Sequence, residues 1–173
     1  MKKALIILAI LITLLVYSKS QANEVVIIPD NSLRFRVIAN SNNVNDFIIK
    51  NKVKTVVEKE LVTLLENAKD ISETKEIIKE NLPNINKTIS NAIGKEDIDY
   101  DVKFGFNYFP KKIFKGIIYN EGEYESLVIT LGQGNGDNWW CVLFPPLCLL
   151  EENPTSSDVE YQLYVSRIIN GFK

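Results

Sequence analysis

Residues 132–148, GQGNGDNWWCVLFPPLC, hold most of the side chains whose types and spacing could do chemistry. The three glycines superficially match a phosphate cradle. Such a cradle needs a helix directly after the glycines, so that the helix N-terminus meets the phosphate. Here Asp137-Asn138-Trp139-Trp140 follow, which are β-prone and lack the Gly-Lys-Ser/Thr of a P-loop. Glycines that allow positive φ in a loop between two strands are the simpler reading. Gly132–Asp137 also resembles one turn of a calcium-binding glycine/aspartate repeat, but those sites form between stacked copies and the chain has one.

Cys141 and Cys148 are the only cysteines, and six residues separate them, which is not the CxxC of thiol oxidoreductases or zinc ribbons. The chain contains no histidine, so zinc would lack two further soft ligands and no metal site is expected. The pair either closes a small disulfide loop around Val142–Leu147 or forms two buried apolar thiols. A catalytic thiol would have no histidine to activate it.

Acidic residues alternate at Asp97, Asp99 and Asp101 and again at Glu121, Glu123 and Glu125. Period two places each set on one strand face, where a glycosidase-like pair is conceivable and a solvated outer face is the simpler account. Ser32, Ser41, Ser126 and Ser166 have no nameable base partner, so no catalytic residue and no cofactor is expected. The net charge of −2, without a basic stripe, argues against nucleic acid.

What remains is apolar surface. WWCVLFPPLC reads as a core strand that ends in a Pro turn. Strand alternation sends Trp139 and Trp140 to opposite faces, so one of them is expected to be poorly buried. Beside a glycine loop, such an aromatic can anchor a partner protein. Pro145-Pro146 is expected to hold the following segment extended, in a low-entropy shape suited to recognition.

The elements that must position these residues are legible in the periodicity. Lys2 and Lys3 precede a 14-residue apolar run, Ala4 to Tyr17, and Ser20-Gln21-Ala22 offers small residues for a signal peptidase. Residues 1–22 are therefore a signal peptide or an N-terminal membrane anchor (contacting the membrane through residues 4–17 if uncleaved), and 23–173 are an exported domain. Loss of residues 1–22 moves the charge from −2 to about −5. Residues 23–32 read as an extended lead-in. Leu33 to Asn40 then alternates Leu33, Phe35 and Val37 against Arg34, Arg36 and Ile38, as a strand with one buried face.

The Asn/Ser cluster 40–46 breaks that strand and offers helix caps. A helix follows with an apolar stripe of Ile49, Val53, Val56, Val57, Leu61, Leu64, Leu65 and Ala68, and with Lys50, Lys52, Lys54 and Glu58 on the opposite face. Asp70 and Glu73 have capping-box spacing ahead of a second helix, which Pro83 either kinks or divides, and Gly94 is its expected stop. Strands are expected from residue 97, over 113–119, over 123–131 and over 139–144, with a hairpin turn at 120–123. A short helix from Val159 to Gly171, with Leu163, Ile168 and Ile169 inward, closes the chain. The order implies a single α+β domain: a mostly antiparallel sheet with helices packed on one face.

Three blocks, RFRVIANSN (34–42), GEYESL (122–127) and GQGNGDNWWCVLFPPLC, resemble the stage II sporulation protein R family of endospore-forming Firmicutes in content, order and spacing. The resemblance implies a signalling protein that the forespore exports into the space between the forespore and mother-cell membranes. There it triggers a membrane-embedded aspartic-type protease that processes the precursor of sigma-E. It implies an activating ligand and not an enzyme; an extracytoplasmic hydrolase or thiol enzyme and a structural spore-envelope protein are the alternatives. The candidate contact residues carried over are Asn40, Ser41, Asn138, Trp139, Trp140, Phe144, Pro145 and Pro146. The chain has Arg36 where the family often has a histidine, so no pH-sensing or metal role comes with that position.

Overall fold

The computed structural model describes residues 26–149, the backbone of 158–171 with side chains from 165, and positions 6, 10, 12 and 13. Apart from those four positions, the signal or anchor segment with its cleavage site lies outside the described residues, as do the loop 152–157 and the Leu163 side chain. Among the described residues no helix is long and apolar enough to cross a membrane.

The fold is α+β. Strands β1 (Leu33–Ile38), β2 (Tyr100–Phe109), β5 (Gly122–Leu131) and β6 (Asn138–Phe144) form one sheet in the order β2-β5-β1-β6. β1 runs parallel to β5, and the other two pairings are antiparallel. Helices α1 (Val44–Leu65) and α2 (Ile71–Ile93) cover one face. Asn43 caps α1 by accepting from the Asp46 amide, and Asp70 caps α2 by accepting from the Glu73 amide. Ile49, Val53, Val57, Leu61 and Leu65 of α1 and Ile78, Ile85 and Ile89 of α2 pack against Leu33, Phe35, Val37, Leu127 and Ile129. Each such side chain contributes roughly 1.5–3 kcal/mol of burial. α2 continues through Pro83 as a single helix.

The opposite face is also covered. β3 (Lys112–Phe114) and β4 (Ile117–Tyr119) form a separate ribbon, joined at Lys115 and Gly116, both at positive φ. Positive φ at both turn residues is what a two-residue hairpin requires. Residues 113–119, expected as one strand, are therefore a hairpin in themselves, and 120–123 joins β4 to β5 without pairing them. The lead-in docks beside β4, with the Ile28 amide donating to the Ile118 carbonyl and the Ile118 amide to that of Val26. Helix α3 (Asp158–Gly171) brings Val165 and Ile169 into a second cluster with Val26, Ile28, Ile117, Val142 and Leu147.

This second layer changes the meaning of the strand arginines. Of the two arginines expected on a polar face, Arg34 lies beneath it and is 0% exposed, whereas Arg36 is half-buried. The Arg34 guanidinium stacks on Tyr124, 3.3 Å from the ring centroid, with Phe109 and Trp140 each at 5.0 Å. Burial pushes it below the ordinary arginine range, with the Tyr124 phenol opposing. Glu125, expected on a solvated outer face, instead points to the helix side and pairs with Lys75 of α2.

Candidate functional site

The residues at the start of α1 and the glycine loop before β6 fold into one knot. β1 and β6 pair through Ile38 and Asn138, so the chain leaving β1 and the chain entering β6 must run side by side. The Asn135 amide donates to the Asn40 carbonyl at 3.0 Å and the Gly136 amide to that of Ala39 at 2.9 Å. Side chains complete the lacing. The Gln133 amide donates to Asn40 Oδ1 at 2.9 Å, and the Asp137 amide to Asn42 Oδ1 at 2.6 Å. No space remains for side chains at the crossing: a Cβ on Gly136 would overlap the Ser41 carbonyl, and one on Gly132 would overlap the Asn40 carboxamide. The glycines serve the approach of two backbones.

Asp46 anchors the other side of the knot. Its Oδ2 accepts from Ser41 Oγ at 2.6 Å, Asn40 Nδ2 at 2.9 Å and Asn43 Nδ2 at 3.0 Å. These bonds, that of Ser41 first, hold its carboxyl below the ordinary carboxylate range against the opposing effect of burial. A depressed folded-state value means stability that is present above the unfolded-state value and lost as pH falls through the folded one. The urea midpoint is therefore expected to drop on acidification below about pH 5, where unfolded Asp begins to protonate. Asp46→Asn should be less stable at pH 7 and should have a flatter pH dependence. Equal pH dependence in the two proteins would rule out Asp46 as the source.

The eight candidate contact residues do not form one patch. Asn40, Ser41 and Asn138 lie at the knot, whereas Phe144, Pro145 and Pro146 lie at the far end of β6, roughly 20 Å away at about 3.3 Å per strand residue. Asn40 and Ser41 direct their polar groups inward, and Asn138 is exposed. Trp139 and Trp140 do face opposite sides, yet both are half-buried. Trp139 meets Phe35 edge-on at 5.7 Å, and Trp140 meets Tyr119 at 5.0 Å and Phe109 at 5.5 Å. The expectation that one would be poorly buried fails because the second layer covers Trp140.

Cys141 and Cys148 are joined as a disulfide, with Cα atoms 5.5 Å apart. Pro145-Pro146 does not lead into an extended segment but turns into a single 3₁₀ turn, Leu147–Leu149. Among the described residues no group of three Cys, Asp or Glu side chains is placed to hold a metal ion.

The open surface at the knot comes from residues that the sequence reading passed over. Val44, Phe47 and Ile48, on the outer side of the first turns of α1, are 77%, 55% and 56% exposed. Their signal was present, since they stand off the Ile49-Val53-Val57 stripe and so could not share its burial. Lys50, expected on the solvated face, is buried instead, and its Nζ donates to the Asp137 carbonyl at 3.1 Å.

The family described as Stage II sporulation protein R (spore_II_R) matches residues 29–154. The Stage II sporulation protein R of Bacillus subtilis (strain 168) is 38% identical over 136 residues, covering 78% of this chain and 61% of that protein. The chain thus spans about three fifths of the length of that curated relative. No solved structure matches.

Proposed function

The chain belongs to the stage II sporulation protein R family, and from that premise we propose that it is an exported signal of endospore formation. In this reading it acts between the forespore and mother-cell membranes. It activates a membrane-embedded aspartic-type protease, which then processes the precursor of sigma-E. The observation that carries the reading is the knot itself. The first and last of the family-like sequence blocks lace together there and hold a solvent-facing apolar turn of helix at their rim. A protein ligand needs such a rigid, pre-formed surface, because ordering it on contact would cost affinity. The disulfide weighs against the thiol-enzyme alternative, since a bonded sulfur is no nucleophile.

Co-expression of the full chain with the membrane protease and its substrate in a non-sporulating cell tests the proposal. Substrate cleavage is expected only when all three are present. Cleavage that proceeds equally without this chain, or that never occurs with it, rejects the activating role.

A further inference from the structure

Beside the knot, Ala39, Ser41, Asn42, Val44, Phe47, Lys50 and Asp137 surround a recess of about 170 Å³. Lys50 is 5% exposed, and one of its three ammonium protons is taken by the Asp137 carbonyl. The Phe47 ring lies 4.9 Å from Nζ. No carboxylate forms an ion pair with Lys50 among the described residues. Of the acids nearby, Asp46 has its Oδ2 taken by three donors, and the Asp137 carboxylate faces Asn42 Nδ2 at 3.5 Å. A buried cation with spare donors is costly unless something supplies an anion.

We infer that the recess is a docking socket for a protein partner that inserts an Asp or Glu side chain against Lys50 and lays a neighbouring apolar side chain on Val44, Phe47 and Ile48. The volume admits a carboxylate with its hydrogen-bond partners, since a single water needs only about 10–15 Å³ of such space. The exposed triad lies at i, i+3 and i+4, which gives one continuous apolar strip at the mouth. A protein carboxylate fits better than an anionic lipid, because surface binding to lipid draws on several clustered cations and this chain is net negative. The inference deepens the proposed function by naming the chemistry of its partner, and it rests on that reading.

The co-expression assay tests it with the full chain. Lys50→Glu is expected to reduce cleavage at least about tenfold, as loss of a buried interfacial charge pair does, and Lys50→Arg to retain most of it. Phe47→Ser, at an exposed position that cannot unfold the core, is expected to reduce cleavage about tenfold. Changing the protease's extracytoplasmic Asp and Glu residues one at a time to Lys should yield one position that restores cleavage by the Lys50→Glu chain. Normal cleavage with both Lys50→Glu and Phe47→Ser, or no restoring position, overturns the socket while leaving the activating role intact.

If the unsubstituted chain triggers no cleavage, the role has failed and the socket is read separately. The full chain in detergent is then titrated with acetyl-Leu-Asp-Phe-amide and with its Asn counterpart. Preference for the acid by about fivefold or more, lost in Lys50→Gln, supports the socket; equal or absent binding overturns it. Lys50-dependent binding to phosphatidylglycerol vesicles without preference for the acidic peptide would assign the recess to lipid and also overturn it.

Discussion

Gly136→Ala is expected to lower the stability of the folded chain by about 3 kcal/mol, among the larger effects available from adding one methyl group. The new Cβ would overlap the Ser41 carbonyl oxygen, lie 2.6 Å from its carbon and sit 2.8 Å from the Ala39 Cβ. Two of those atoms are backbone and cannot rotate away. Relief requires the glycine loop to separate from residues 39–42, which breaks the Gly136–Ala39, Asn135–Asn40 and Asp137–Asn42 bonds. At about 1 kcal/mol net per hydrogen bond, three bonds account for the estimate.

Two other glycines bracket the effect. A Cβ on Gly134 meets the Thr130 Cγ2 at 2.7 Å, a side chain that can shift, so Gly134→Ala should cost about 1 kcal/mol including its positive φ. A Cβ on Gly105 meets nothing within 4 Å, so Gly105→Ala should fall within about 0.5 kcal/mol of the parent. Urea midpoints followed by tryptophan fluorescence give the ranking. A Gly136→Ala shift no larger than that of Gly105→Ala would mean that the knot adapts freely. Because the Asp137 carbonyl holds Lys50, a displaced loop should also reduce cleavage in the co-expression assay, if the proposed activating role holds.

The contrast between these glycines shows where the sequence is informative. Helix stripes, capping residues and strand alternation were legible because they are local: Asn43, Asp70 and the Ile49-Val53-Val57 stripe each act within a few residues of themselves. The close approach of Gly136 to Ser41 joins positions 95 apart and leaves no local mark. The same holds for Lys50 and for Arg34. Periodicity places both on the side away from the core, and it is correct about direction. It carries no information on what arrives later in the chain to cover that side: the Asp137 carbonyl over Lys50, and Phe109, Tyr124 and Trp140 around Arg34. The ribbon β3–β4 was missed because IFKGIIY reads as one β-prone run unless Lys115 is allowed a positive φ, which only the hairpin requires.

Arg34→Ala is expected to cost about 3–5 kcal/mol, whereas Arg34→Met should leave stability unchanged or slightly raised. Alanine removes the long stem and leaves a void among Phe109, Tyr124 and Trp140, whose edge-on contacts with one another then lose support. Methionine keeps the stem volume and discards the charge. The charge itself is poorly compensated. Among the described residues Nη1 and Nη2 have no hydrogen-bond acceptor, and Nε reaches the Ser32 hydroxyl only at 3.4 Å. Against this stands the stacking on Tyr124, worth roughly 2 kcal/mol for a desolvated cation on a ring face, with less from the two rings at 5.0 Å. The penalty for burying an unpaired ion is several kcal/mol, so removal of the charge offsets the lost stacking. Urea denaturation of both variants beside the parent decides the matter. If Met costs as much as Ala, the guanidinium and not its stem is what the aromatic box holds, and its charge stabilises the second layer outright.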